Sequence, residues 1–68
     1  MDEEVFNLEV RKILKKVGVQ SQREIEQAVC YNIEKGTLSG TETLPVSVVL
    51  RVPDVGVEVL IEGEIELT

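Results

Sequence analysis

Apolar residues recur at helical spacing through the first half of the chain and then switch to strict alternation. With successive residues about 100° apart, Phe6, Val10, Ile13, Leu14 and Val17 fall on one stripe, which predicts an amphipathic helix over about residues 2–17. Asp2, Glu3 and Glu4 sit at its positive dipole end and Lys15 and Lys16 at its negative end, and Gly18 fits the left-handed position beyond a helix terminus. Ser21-Gln22-Arg23-Glu24 then matches a capping box. It predicts a second helix over about 22–35, with Ile25, Val29 and Ile33 inward, Ala28 beside them and Gly36 closing it. So short a turn between two helices predicts a helical hairpin.

Residues 36–44 read as a loop rich in Thr, Ser, Gly and Glu, with Leu38 as an apolar anchor. Beyond it the period is two. Strands are predicted at about 45–52 and 57–62, joined by Pro53-Asp54-Val55-Gly56, where Pro presets φ and Gly accepts a positive one. A four-residue connection sets Val52 opposite Val57, Leu50 opposite Val59 and Val48 opposite Ile61 on one face. On the other face it sets Arg51 opposite Glu58 and Val49 opposite Leu60. Residues 64–67 fit two readings: a third strand after a turn at Glu62-Gly63, or one strand continuing past a bulge at Gly63, with Ile65 opposite Leu44. The expected fold is α+β: an N-terminal two-helix hairpin packed on one face of a small antiparallel sheet, in the order α-α-β-β, as one domain over residues 1–68.

Size and charge narrow the function. A chain of 68 residues buries a small fraction of its surface, so a monomer is marginal and oligomerisation would help it. With 13 acidic and 7 basic residues the net charge is −6, which disfavours nucleic acid and anionic lipid. The lone Cys30 excludes an internal disulfide, no apolar run reaches membrane-spanning length, and a cytoplasmic setting is the expectation. His is absent, which removes the commonest general base and metal ligand.

Each candidate site has a plain structural alternative. A helix-turn-helix reading around Gly18 places Glu24 and Gln27 at core offsets and loads the second helix with acid, so a helical hairpin covering a sheet explains it better. Arg11, Lys12, Lys15 and Lys16 form a basic face around Leu8, read either as solvated surface or as a docking surface for an acidic partner. Glu58, Glu62, Glu64 and Glu66 share one strand face, about 7 Å apart at two-residue spacing, and suit a wet, charge-protected face better than a cation site. Cys30 reads as a small, partly buried apolar residue with no His to activate it, and Tyr31 as an exposed flank. No phosphate loop, dinucleotide fingerprint or zinc spacing is present, and no cofactor is expected.

Three stretches carry a resemblance: Arg11 to Val19 running into Ser21-Gln22-Arg23-Glu24-Ile25-Glu26, then Gly40-Thr41-Glu42-Thr43-Leu44-Pro45, then Val57 to Leu67. Together they resemble a family of small uncharacterised bacterial proteins, a domain of unknown function. The resemblance implies a free-standing bacterial protein with no assigned activity, so it carries over no catalytic residues.

The residues therefore point to a non-enzymatic module that binds an unidentified protein partner or forms a weak homodimer. Its candidate contacts are Leu8, Arg11, Lys12 and Lys15 on the helix and the Val49–Leu60 pair on the outer sheet face. The alternative is nucleic-acid association through the basic helix face. An enzyme ranks below both, because so small a core can hardly enclose a pocket.

Overall fold

Asp2 opens a single helix, α1, that runs from Glu3 to Lys35 without a break. The Asp2 carboxylate accepts the amides of Glu4 at 3.0 Å and Val5 at 3.1 Å, satisfying two of the first-turn donors that every helix leaves open. Glu3 and Glu4 in the first turn and Lys35 in the last complement the dipole. At the far end Gly36 turns left-handed with φ 87. Its amide donates to the Ile33 carbonyl at 3.1 Å, and that of Thr37 to the Asn32 carbonyl at 2.9 Å, a double closure of the Schellman type. Asn32 adds a bond from Nδ2 to the Ala28 carbonyl at 2.7 Å.

This overturns the helical hairpin. Gly18 and Ser21 lie inside α1, with no turn between them. Glycine in a helix interior costs about 1 kcal/mol relative to alanine, and Ser or Val a few tenths. Ending one helix and starting another would free four carbonyls and four amides. Such a break is favourable only if the two halves can fold onto a shared core, and no residue of this chain is buried. The two apolar stripes, Phe6–Val17 and Ile25–Ile33, are out of phase by about a quarter turn. Two phases on one continuous rod imitate two helices.

The second unit, Leu38–Thr68, is a two-stranded antiparallel hairpin of β1 (Thr43–Val52) and β2 (Val57–Glu66). The structure is a computed structural model describing residues 1–68, and it divides at Thr37 into two compact units. The strand register is the expected one: Val52 faces Val57, Arg51 faces Glu58, Leu50 faces Val59, Val49 faces Leu60 and Val48 faces Ile61. Pro53–Val55 form a single 3-10 turn, and Gly56 at φ 70 donates its amide to the Pro53 carbonyl at 3.1 Å.

The strands exceed the predicted ranges. β1 begins at Thr43, and β2 continues through Gly63 to pair Leu44 with Ile65 and Thr43 with Glu66, so there is no third strand. Gly63 sits opposite Val46 in the regular ladder, without a bulge. A turn at Glu62-Gly63 would forfeit the pairings that the long β1 offers to residues 63–66. Pro45 fits because a strand in a two-stranded sheet has one free edge, where its missing amide goes unused.

Candidate functional site

The register sorts the hairpin into two chemically different faces. Leu44, Val46, Val48, Leu50 and Val52 of β1 stand beside Val57, Val59, Ile61 and Ile65 of β2, and only Gly63 interrupts this apolar plate. The opposite face carries Thr43, Pro45, Ser47 and Arg51 against Glu58, Glu62, Glu64 and Glu66, with Val49 and Leu60 side by side among them. The apolar plate was expected to be the core beneath the helices. It is not buried: Val48 is 41% exposed, Leu50 40% and Ile61 53%. The hairpin by itself leaves these side chains at a surface.

The same holds along α1, where Phe6, Ile13 and Leu14 are each more than half exposed. Leu8, Arg11, Lys12 and Lys15 share one side of the helix at spacings of three, four and seven, all exposed. Lys12 Nζ donates to Glu9 Oε1 at 3.3 Å, an open surface pair. Val49 and Leu60, directly opposite in the register, are 50% and 57% exposed. The six candidate contacts thus form two clusters, one on α1 and one on the hairpin. Reading the sequence for a covered core missed the apolar plate as a surface. The available signal was the mismatch between that many inward-facing positions and a chain this short.

Other candidate chemistry resolves into structure. Cys30 is exposed rather than partly buried, since α1 has no neighbouring helix to cover its flank. Tyr31 is exposed and stacks under the Lys35 ammonium, 5.6 Å from the ring centroid. No three acidic or thiol side chains converge as metal ligands. Two shallow grooves, one along Val19, Arg23 and Glu26 and one along Val46 and Gly63, are open to solvent. No helix is long and apolar enough to cross a membrane.

The most organised polar cluster lies ahead of β1. Glu42 Oε2 accepts the Ser39 amide at 2.8 Å and the Ser39 hydroxyl at 3.1 Å. Its Oε1 accepts the amides of Gly40 at 3.0 Å and Thr41 at 3.2 Å. The Ser39 amide above all, against a desolvation penalty and aided by the amides of Glu42 itself and Gly40 and by the Ser39 hydroxyl, lowers the Glu42 carboxyl from 4.5 to about 2. These amides resemble an anion-binding nest, but the chain fills it with its own carboxylate. The Glu42 carbonyl also accepts the Leu67 amide at 3.0 Å, tying the loop to the open end of the hairpin. Glu42 is a structural clasp.

Compared with known proteins, residues 1–68 match a family of unknown function, DUF6494, over their whole extent. The chain belongs to this family. Membership confirms the uncharacterised domain that the sequence resembles, and it brings no activity, ligand or partner with it. No curated protein and no solved structure matches this family member.

Proposed function

We propose that this member of the family is a non-enzymatic interaction module that works by association, with a second copy of itself as the first partner its surfaces fit. The observation that carries the reading is the apolar plate of the hairpin, where Val48, Leu50, Val52, Val59 and Ile61 are exposed and Leu44, Val46, Val57 and Ile65 half-buried, in a chain with no buried residue. A two-stranded hairpin alone in water is marginal and needs a further strand, a helix or a partner on its apolar face. Fully burying a Val, Leu or Ile contributes about 1.5–3 kcal/mol, so covering half-exposed ones contributes roughly 1 kcal/mol each. Over such a plate that is enough to meet the several kcal/mol lost on association. A twofold axis lets one self-complementary face cover itself.

Sedimentation and thermal melting from low micromolar to near-millimolar protein test this. The expected result is a mass rising to that of a dimer or small oligomer, with a melting temperature that climbs with concentration. A monomer throughout, melting cooperatively at one temperature, would end the reading. Tight, salt-sensitive binding of duplex DNA, abolished by Lys12→Glu and Lys15→Glu, would replace it with nucleic-acid association.

A further inference from the structure

We propose that the outer edge of β1 pairs antiparallel with the same edge of a second copy, about a twofold axis through Ser47, joining two hairpins into one sheet in the order β2-β1-β1-β2. This rests on the self-association reading and deepens it by naming the seam. The Leu67 amide donates to the Glu42 carbonyl, one step beyond the Thr43–Glu66 pair, so Glu42 and Leu67 are a hydrogen-bonded pair. Such pairs alternate with non-bonded ones along an antiparallel ladder. Even-numbered residues of β1 therefore bond to β2, while Thr43, Pro45, Ser47, Val49 and Arg51 turn their backbone groups outward. On β2 the outward groups belong to Glu58, Leu60, Glu62, Glu64 and Glu66. Pro45, which has no amide to donate, sits at an outward position, as this parity requires. No further strand pairs with either edge. Unpaired edge groups are a template for another strand, and two strands alone are too few for a stable sheet.

Charge separates the two edges. Any antiparallel pairing of β2 with its copy that spans more than five residues sets one carboxylate directly opposite another, because Leu60 alone among its outward residues is uncharged. The outward residues of β1 carry a single charge, Arg51, and no acid. In a chain of net charge −6 this is the edge on which a second copy meets least repulsion. Pairing β1 of one copy with β2 of the next would leave a free edge at each end and add chains without closing, whereas β1 on β1 closes about a twofold axis.

The free donors fix the register. With the axis through Ser47, Thr43 and Arg51 of opposite copies exchange bonds in both directions, and Ser47 does so with its own copy. The Val49 amide then meets the Pro45 carbonyl of the other copy. Every outward amide of β1 thus finds an acceptor within the opposing strand, and the missing amide of Pro45 costs only the bond that the Val49 carbonyl would have accepted. A shift of the axis to Val46, Val48 or Val49 leaves Thr43 or Arg51 without an acceptor inside the partner strand. On the apolar face this register sets Val46 beside Val48 and Leu44 beside Leu50 of the other copy, so the two plates become one.

Hydrogen exchange on the full-length protein across a concentration series tests the seam. The amides of Thr43, Ser47, Val49 and Arg51 should slow as protein concentration rises, while those of Leu60, Glu62 and Glu64 stay fast. In a sample mixing isotope-labelled and unlabelled chains, α-proton contacts between Val46 and Val48 should appear across copies. Val49→Pro removes an outward amide and no ladder bond, so it should weaken the dimer by about tenfold or more, since two interchain bonds are lost by symmetry. Leu60→Pro makes the same change on the other edge and should leave affinity within about twofold. A retained contact between Val48 and Ile61 reports that the hairpin is intact in each variant, and exchange on the unaltered chain decides the matter whatever the variants do to folding. A dimer whose β1 edge amides stay fast overturns edge pairing and leaves association through the plate or α1. Slowed β2 amides, or a mass that grows without limit and is lost in both proline variants, show that β2 is used and also overturn it. A monomer at every concentration removes both the seam and the association reading.

Discussion

The helix and the hairpin are stabilised at different ranges, and they differ accordingly in how far sequence determines them. α1 closes its hydrogen bonds within its own chain, turn by turn, and is capped by Asp2 at one end and Gly36 at the other. At 33 residues it is well past the length of about 12–15 at which isolated helices become tenable. The hairpin has no such local guarantee. Every ladder bond joins residues up to 23 positions apart, from Val52 with Val57 out to Thr43 with Glu66. Yet the hairpin register follows from the sequence and the continuity of the helix does not. Each cross-strand pair is a separate constraint, and all agree on one register; a one-residue slip would reverse every face at once. Helix continuity at Gly18 depends on a few opposing terms, each near 1 kcal/mol.

The most direct way to break this comparison is at the two glycines that end or interrupt elements. Gly18→Pro should remove about 3 kcal/mol or more from α1 and lower the helical circular dichroism sharply. Gly18→Ala should do the reverse, adding about 1 kcal/mol, because its Cβ would meet nothing within 4 Å and its φ is helical. In the hairpin, Gly56→Ala must adopt φ 70 and should lose about 1–2 kcal/mol. Had Gly18 been a left-handed terminus, both alanine variants would destabilise. Opposite signs in denaturant melts identify Gly18 as interior, and equal signs would restore the two-helix reading.

Helix ends sharpen the same point with effects near 1 kcal/mol. Asp2→Ala removes the acceptor for the Glu4 and Val5 amides and should cost about 1 kcal/mol. Ser21→Ala, which a capping box would make equally harmful, should be neutral or slightly stabilising, since alanine is the better residue inside a helix. Helicity measured on both variants under the same conditions decides which residue starts the helix.

Those residues also show what was legible. The end signals at Asp2, Glu3 and Glu4 and at Gly36 coincide with the two ends of α1. Gly18 and Ser21-Gln22-Arg23-Glu24 carry equally good end signals in a place where the helix keeps going. Caps record local compatibility; whether a helix stops depends on whether a stop allows new packing, and this chain buries no side chain. The extension of β2 past Gly63 is a similar case, decided by the partner strand rather than by the glycine. Candidate contacts on Leu8 and on Val49–Leu60 could be placed by face from periodicity alone. The exposed apolar plate could not, because alternation marks which side chains share a face but not whether anything covers it.

A smaller effect is confined to the clasp. With its carboxyl held at about 2 in the folded loop, down from 4.5, Glu42 contributes order that is fully present above about pH 4.5 and is lost as the pH falls through about 2. Amide signals of Ser39, Gly40 and Thr41 should shift together across that window, while those of the Val48–Ile61 region stay put. Glu42→Gln should abolish the pH dependence and loosen the loop at neutral pH. Independent titration of the three amides would mean that they do not share one carboxylate.

The smallest effect bears on why the register holds. Arg51 Nε donates to Glu58 Oε1 at 3.3 Å, across the ladder and largely in water, with the two side chains 68% and 70% exposed. Exposed pairs of this kind contribute about 0.2–1 kcal/mol, and here the single contact and the exposure favour the lower end. A double-mutant cycle with Arg51→Ala and Glu58→Ala should therefore give a coupling of about 0.3 kcal/mol that fades in high salt. The register itself should survive both substitutions, because Leu50 with Val59 and Val48 with Ile61 fix it from the apolar face. Cross-strand proton contacts between Val49 and Leu60 in the double variant report this directly. If those contacts move by one residue when the ion pair is lost, charge rather than the apolar plate sets the register, and the hairpin owes its legibility to one pair instead of many.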